Sequence, residues 1–202
     1  MKSVPPRVTL LLILAMFALP LMLAWMMNSG SIRLTSGDTL NLGNLVSPVV
    51  PLDWSGVEPI AHGAETSGFS GFWVILSTVP TDCNAQCLES VTMLRQVHRA
   101  SGKDQNRIKV TLLVDPAVSQ AGINELLAID PGFNLVKNPS AEFVASLALA
   151  GGMGSPMGGQ ATIYLLDPLG NIMMTYNGES SPNSLSKDLK RLLTWSTQDK
   201  RS

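Results

Sequence analysis

Two apolar runs with a helical pattern between them are the feature that most limits how this chain can fold. The first run, FWVILS, spans Phe72 to Ser77, and the second, IKVTLLV, spans Ile108 to Val114. Runs of this length and composition are typical of strands that are buried on both faces of a sheet. Because the intervening segment carries apolar residues at helical spacing, we expect the two strands to pair in parallel through a right-handed helical crossover.

The alternation of strand and helix continues to the end of the chain. A second helix is predicted from Val118 to Ile129, and after the short segment FNLV a further helical stretch runs from Ala141 to Ala150. The runs ATIYLLD and NIMMTYN flank the hairpin signal PLG, and an amphipathic helix, NSLSKDLKRLLTWS, follows. The order β-α-β-α-β-β-α is that of an α/β, thioredoxin-like domain, which we place at residues 72–197, before a tail at 198–202.

An uncharged run of 20 residues, from Val8 to Met27, precedes this domain. A helix of that length spans a bilayer. Lys2 and Arg7 lie before the run, so the positive-inside bias places residues 1–7 in the cytoplasm. The alternative is a cleaved signal peptide, but signal peptides have shorter apolar cores and a cleavage site of small residues. We therefore predict a single-pass anchor at 8–27 in a bacterial inner membrane, with the soluble domain in the periplasm.

The segment between the anchor and the domain, residues 28–71, is rich in Gly, Ser, Pro and Thr. Short apolar stretches such as NLVSPVVPL are candidates for edge strands, but they show no sustained period. We interpret the segment as a tether that merges into an irregular N-terminal extension. The net charge is −1 and the basic residues are scattered, a pattern that argues against nucleic acid as a partner.

The only two cysteines of the chain, Cys83 and Cys87, lie in the helical segment after the first strand. We expect Asp82 to cap this helix and Cys83 to open it. Residues four positions apart share a helix face, with Cα atoms about 6 Å apart, which is within the range that a disulfide can close. The positive end of the helix dipole would favour the thiolate form of Cys83. A redox pair is the leading interpretation, and a structural disulfide or two buried free thiols are the alternatives.

Three landmarks together resemble a known family. They are the CxxxC of Cys83 to Cys87, the VDP of Val114 to Pro116 and the IYLLDPLGN of Ile163 to Asn171, and they occur in the order found in the Sco/SenC family. The resemblance implies a membrane-anchored thioredoxin-fold protein of cytochrome c oxidase assembly. It implies a thiol-disulfide reductant or chaperone for a respiratory oxidase subunit or another exported thiol protein. Cys83 would be the attacking thiolate and Cys87 the resolving thiol.

The family resemblance also implies copper, and here the sequence departs from the pattern. Sco proteins bind copper through both cysteines and a histidine shortly before the IYL strand. That position falls near Gly159, and the segment MGGQATIYL contains no histidine. Met153 and Met157, in the Gly-rich segment GGMGSPMGGQ, are candidate soft ligands for copper(I), although a flexible loop whose methionines simply pack is favoured.

The two histidines do not replace the missing ligand. His98 lies eleven residues beyond Cys87, about 16 Å along a helix, and His62 lies in the irregular extension. A copper(I) metallochaperone, with Cys83, Cys87 and a methionine or a partner residue as ligands, is the second functional hypothesis. The third is a non-enzymatic assembly factor with a structural disulfide.

Overall fold

The computed structural model describes residues 5–28, 41–60, 69–151, 162–177 and 182–196. The chain divides into two compact units, residues 1–40 and residues 41–202. Residues 41–60 belong to the unit that contains the predicted domain.

Among its described residues, the first unit contains one helix, α1 (Pro6–Asn28), at the position that the uncharged run predicts. The side chains of residues 12–22 are all exposed, and they include Leu12, Phe17 and Leu21. No helix among the described residues has both the length and the hydropathy of a membrane span. The predicted helix is present, and the predicted membrane anchor stays a prediction.

The second unit is an α/β fold around a seven-stranded mixed sheet. Its strands and α-helices are, in chain order, β1 (Asn44–Pro51), β2 (Glu58–Pro59), β3 (Trp73–Val79), α2 (Ala85–Ala100), β4 (Ile108–Val114), α3 (Gln120–Ile129), β5 (Asn134–Lys137), α4 (Ala141–Gly151), β6 (Ile163–Leu166), β7 (Asn171–Tyr176) and α5 (Pro182–Trp195). A 3₁₀ helix (Gly102–Arg107) connects α2 to β4. The strand order is β1-β7-β6-β3-β4-β5-β2.

The strand β3 lies at the centre of the sheet. It pairs in parallel with β4 along its whole length, from Trp73 opposite Ile108 to Val79 opposite Val114, and antiparallel with β6 on its other side. The parallel crossover and the closing hairpin of β6 and β7 are confirmed. The predicted order needs one extension, because β5 also pairs in parallel with β4 and α4 follows it.

Two apolar clusters fill the space on either side of the sheet. Successive residues of β3 alternate between them, so that Ile75 belongs to the cluster with α2 and α5, and Leu76 belongs to the cluster with α4 and β1. Both side chains are completely buried. Burial on both faces explains why β3 appears in the sequence as a continuous apolar run instead of an alternating one.

Residues 28–71, predicted as a tether and an irregular extension, contain two strands, and the stretch NLVSPVVPL is confirmed as an edge strand. The strand β1 pairs antiparallel with β7, and β2 pairs antiparallel with β5, so that they form the two edges of the sheet. The β1 ladder shifts register between Leu45 and Val50, a stretch that contains Pro48. An edge strand pairs on one side only and therefore tolerates proline. The prolines and the register shift interrupt the alternation of apolar and polar residues by which a strand is recognised in a sequence.

A buried carboxylate attaches the start of this extension to the last helix. Asp188 of α5 is 2% exposed, and its Oδ2 accepts hydrogen bonds from the backbone N–H groups of Leu42 (2.8 Å) and Gly43 (2.9 Å) and from the hydroxyl of Tyr176 (3.1 Å). Burial, and then the Asp188 charge, raise the pKa of Tyr176. A Cβ atom at Gly43 would lie 2.5 Å from the Tyr176 ring, so only glycine fits between the carboxylate and the ring.

We predict that Asp188→Ala lowers the free energy of unfolding by about 2–4 kcal/mol, because it leaves a buried backbone donor, a partly buried one and a buried phenol without their acceptor. Chemical denaturation measures the change. Lys187→Ala, at the neighbouring exposed position of α5, is the matched control and should change stability by less than about 0.5 kcal/mol. Equal effects of the two substitutions would contradict the role given to Asp188.

Candidate redox site

The two cysteines lie at the carboxyl end of the central strand β3. The strand ends at Val79, a short loop follows, and the structure joins Cys83 to Cys87 in a disulfide with the two Cα atoms 5.2 Å apart. The expectation that this spacing allows a disulfide is confirmed. The carboxyl edge of parallel strands is where α/β folds commonly place their functional sites.

The helix begins later than the sequence predicts. Its N-cap is Asn84 and not Asp82: the Asn84 Oδ1 accepts the N–H of Cys87 at 3.0 Å, and the Asn84 carbonyl accepts the N–H of Leu88 at 3.0 Å. Cys83 therefore precedes the cap and stands outside the helix, whereas Cys87 lies in the first helical turn. Asp82 is exposed and does not cap the helix.

A signal for the correct cap was present in the sequence. A residue before an N-cap often packs against the residue four positions after the cap, and both are then apolar. With Asn84 as the cap these two positions are Cys83 and Leu88, which both pack partly buried against the core. With Asp82 as the cap they would be Thr81 and Gln86, which are polar and exposed.

The two sulfur-bearing residues differ in exposure. Cys87 is 7% exposed and belongs to the core cluster, on the buried face of α2 with Val91, Leu94 and Val97. Cys83 is partly buried and contacts the same cluster from outside the helix. A partner that approaches the disulfide from solvent therefore meets Cys83 first.

Hydrogen bonds hold the neighbouring strand ends beside this loop. The N–H of Asp115, directly after β4, donates to the carbonyl of Val79 at 3.0 Å, and the Asp115 Oδ1 accepts the N–H of Ala117 at 2.8 Å. On the other side, Thr78 and Thr162 exchange two hydrogen bonds of 3.3 Å, which tie the residue before β6 to β3. The Asp115 carboxylate thus shapes a turn at this edge of the sheet.

Tyr164 follows on β6 but belongs to the opposite face of the sheet. It is 2% exposed and packs in the cluster with α4, and burial raises its pKa to about 12. The chemistry that the site offers in the described residues rests on the two sulfurs.

Of the predicted copper ligands, only Cys83 and Cys87 lie in the part of the chain that the structure describes, and the structure joins them in a disulfide. There, no group of three or more His, Cys, Asp and Glu side chains is arranged to hold a metal. His98 lies in the last turn of α2, with its Nε2 at 3.3 Å from the carbonyl oxygen of Gln105. His62, Met153, Met157 and Gly159 lie outside the described residues. Sulfurs bonded to each other are not thiolates, so the oxidised site shown here does not fit copper(I).

Several solved structures share the fold. The apo Sco1 protein from Thermus thermophilus superposes with a TM-score of 0.54 at 18% identity, over 77% of this chain and 99% of that one. Arabidopsis thaliana ScoI with copper bound gives 0.51 at 13% identity, over 64% and 88% of the two chains. A thiol:disulfide interchange protein from Bacteroides sp. gives 0.51 at 13% identity, over 79% and 94%. At these identities the likeness shows the thioredoxin-like fold alone.

At the level of sequence, no curated protein matches the chain. Residues 73–196 match a family model that covers more than half of the chain, from the start of β3 to the end of α5. The chain therefore belongs to the family described as transmembrane-like, thioredoxin-like, C-terminal domain.

Proposed function

We propose that this protein is a thiol-disulfide reductant, or redox chaperone, that acts through the Cys83–Cys87 pair. The observation that carries the proposal is the position of the disulfide: it joins a partly exposed cysteine outside the helix to a buried cysteine inside it, at the carboxyl edge of the central strands. A structural staple of this kind would add little stability, because it closes a loop of only a few residues.

The reaction is an exchange of two thiols for one disulfide. In the reduced protein the Cys83 thiolate attacks one sulfur of a partner disulfide, forms a mixed disulfide and releases the second partner sulfur as a thiol. Cys87 then loses its proton and attacks the Cys83 sulfur, which restores the internal disulfide and releases the other partner thiol. The partner gains two electrons and this protein loses two. A dithiol donor must reduce Cys83–Cys87 before the next cycle.

Substitution of each cysteine tests this assignment. We predict that Cys87→Ser forms a stable mixed disulfide with a small disulfide-bonded test protein, because no resolving thiol remains, and that Cys83→Ser forms at least about tenfold less. Non-reducing electrophoresis and mass spectrometry of the trapped species measure both. Equal trapping by the two variants would contradict the roles given to the two sulfurs.

The reduction potential of the natural protein separates a working couple from an inert bridge. A value below about −300 mV would identify a structural disulfide and overturn the proposed function in favour of a non-enzymatic assembly factor. A higher value, nearer those of working thioredoxin-like couples, is the expected result.

We further propose that α1 anchors the protein in a membrane, with the redox unit on the exported side. The supporting observations are the uncharged run from Val8 to Met27 and the exposure of every side chain from residue 12 to residue 22. Helices that are apolar on all sides are typical of buried or membrane environments. An exported location would also suit a cysteine pair that cycles through a disulfide.

Extraction of membranes at alkaline pH tests the anchor. We predict that the full chain stays in the membrane pellet, and that a chain lacking residues 1–27 is released into the supernatant, because the uncharged run supplies the only proposed attachment. Release of the full chain under the same conditions would contradict the anchor.

A respiratory oxidase subunit is the partner that the family resemblance suggests. Copper(I) is the ion that this protein would transfer to that subunit. This assignment rests on the CxxxC, VDP and IYLLDPLGN landmarks. The metallochaperone hypothesis remains a prediction from sequence. Reduction of the disulfide would supply two thiolate ligands for copper(I), but the third ligand of the family, a histidine, is absent from this sequence. Two thiolates alone leave copper(I) open to competing thiols.

We predict that the reduced natural protein binds copper(I) at least about tenfold more weakly than Gly159→His, which adds an imidazole at the position that the resemblance indicates. Competition against a copper(I) chelator measures both affinities, after circular dichroism has shown that the variant folds. If the natural protein binds as tightly as the variant, and Met153→Leu or Met157→Leu weakens it, the metallochaperone becomes the better interpretation.

A further inference from the structure

The exposed side of α5 carries positive charge and no negative charge. Lys187, Lys190 and Arg191 are exposed, whereas Asp188, the one acidic residue of the helix, is buried. Residues three or four positions apart share a helix face, so the three cations form one stripe, and Trp195 lies at its end.

The other helices of the second unit differ from α5 in this respect. Each of α2, α3 and α4 exposes a glutamate, namely Glu89, Glu125 and Glu142. Within the described part of this unit, α5 is therefore the one α-helix whose exposed side is basic without an acidic residue. The carboxylate that lies near its last turn is that of Asp104, and it already pairs with Arg107 at 3.3 Å.

The stripe ends in a large aromatic side chain that faces solvent. Trp195 is 80% exposed. Tryptophan is enriched at membrane–water interfaces, because its ring is apolar and its N–H is polar. The apolar side of α5, with Leu185, Leu189 and Leu193, is buried in the core. Only the outer side of the helix is free to meet a bilayer, so such a contact would stay at the headgroups and depend on charge.

The segment that leads from the proposed anchor joins the second unit at this helix. Asp188 accepts the backbone N–H groups of Leu42 and Gly43, at the start of that unit. The side chain of Leu42 is itself 51% exposed. With α1 in a membrane, as proposed above, the chain that leaves the bilayer is therefore fixed to α5 where it enters the second unit.

We infer that the outer side of α5 docks the second unit onto a bilayer surface that carries anionic phospholipid. Lys187, Lys190 and Arg191 would contact the acidic headgroups, and Trp195 would lie at headgroup level. This inference goes beyond the proposed redox function and draws only on the proposed anchor. The contact would hold the disulfide close to partners in the same membrane.

The fluorescence of Trp195 in the full chain tests the contact. The chain is reconstituted in nanodiscs that contain brominated phospholipid, which quenches indole at short range, and the signal of Trp195 is the difference between the natural protein and Trp195→Phe. We expect quenching in discs of phosphatidylcholine and phosphatidylglycerol at low salt. It should be at least about threefold weaker in discs of phosphatidylcholine alone, and also in 1 M salt, where the Debye length is about 3 Å.

Substitutions on two helices separate the basic stripe from net charge. Lys187→Gln with Lys190→Gln should weaken docking about fivefold per cation and lose most of the quenching, whereas Lys187→Arg with Lys190→Arg should keep it. Gln120→Glu with Asn124→Asp is the matched control. It lowers the net charge by the same amount on the exposed side of α3, and α2 contacts both α3 and α5. This control should leave the quenching of Trp195 unchanged.

Quenching that requires anionic lipid, falls with salt and depends on the two lysines supports the inference. Equal quenching in the two kinds of disc, or undiminished quenching in the glutamine variant, overturns it. Absence of quenching also overturns it, and a salt-dependent change in Trp195 emission on addition of poly-glutamate would then identify an acidic polypeptide as the partner.

Failure of the anchor gives a different result from failure of docking. If α1 does not hold the full chain in the discs, the proposed anchor is wrong, and flotation of the full chain with anionic or zwitterionic vesicles measures docking instead. Equal flotation with both overturns the inference. At alkaline pH lysine loses its charge, so a chain lacking residues 1–27 is still expected in the supernatant of the membrane extraction.

Discussion

The parallel pairing of β3 with β4 is the constraint on which the rest of the structure depends. Seven consecutive residue pairs, from Trp73 opposite Ile108 to Val79 opposite Val114, fix the two strand ends at one edge of the sheet. A parallel pair needs a crossover, and α2 with the 3₁₀ helix provides it. The cysteine pair lies at the start of this crossover, directly after β3. The topology therefore places the pair at that edge of the sheet. The backbone N–H of Asp115, directly after β4, donates a hydrogen bond to the carbonyl of Val79, at the end of β3, and so links the two strand ends.

The parts of this arrangement that could be predicted are those with a periodic signal. Complete burial of Ile75 and Leu76 on opposite faces makes β3 an uninterrupted apolar run, and the buried face of α2 recurs at helical spacing through Cys87, Val91 and Leu94. The edge strand β1 lacks such a signal, since its pairing on one side tolerates Pro48 and Pro51. Its place in the sheet depends on contacts with residues far along the chain. Asp188 is 145 positions from Gly43, and no local pattern shows that the two are partners.

In the candidate site, too, the features set by local geometry could be predicted and those set by packing could not. The spacing of Cys83 and Cys87 was enough to predict that a disulfide can form, because that depends on local geometry alone. Which residue caps the helix was predicted wrongly, since Asp82 and Asn84 are equally good caps by type. The observed start places the partly buried pair Cys83 and Leu88 on either side of the cap, packed against the core. The start of the helix is thus consistent with this apolar pair as well as with the Asn84 cap.

That one choice decides how the two sulfurs can behave. If the helix began at Cys83, both cysteines would belong to one rigid turn, and reduction would leave two thiols at fixed separation on one helix face. With Asn84 as the cap, Cys87 lies in the first turn of α2 within the core, and Cys83 belongs to the loop that follows β3. In the proposed exchange reaction, the more exposed sulfur of Cys83 would meet the partner and the buried sulfur of Cys87 would resolve the mixed disulfide. An attacking thiol needs access and a resolving thiol needs protection, and a pair that straddles the start of a helix meets both requirements.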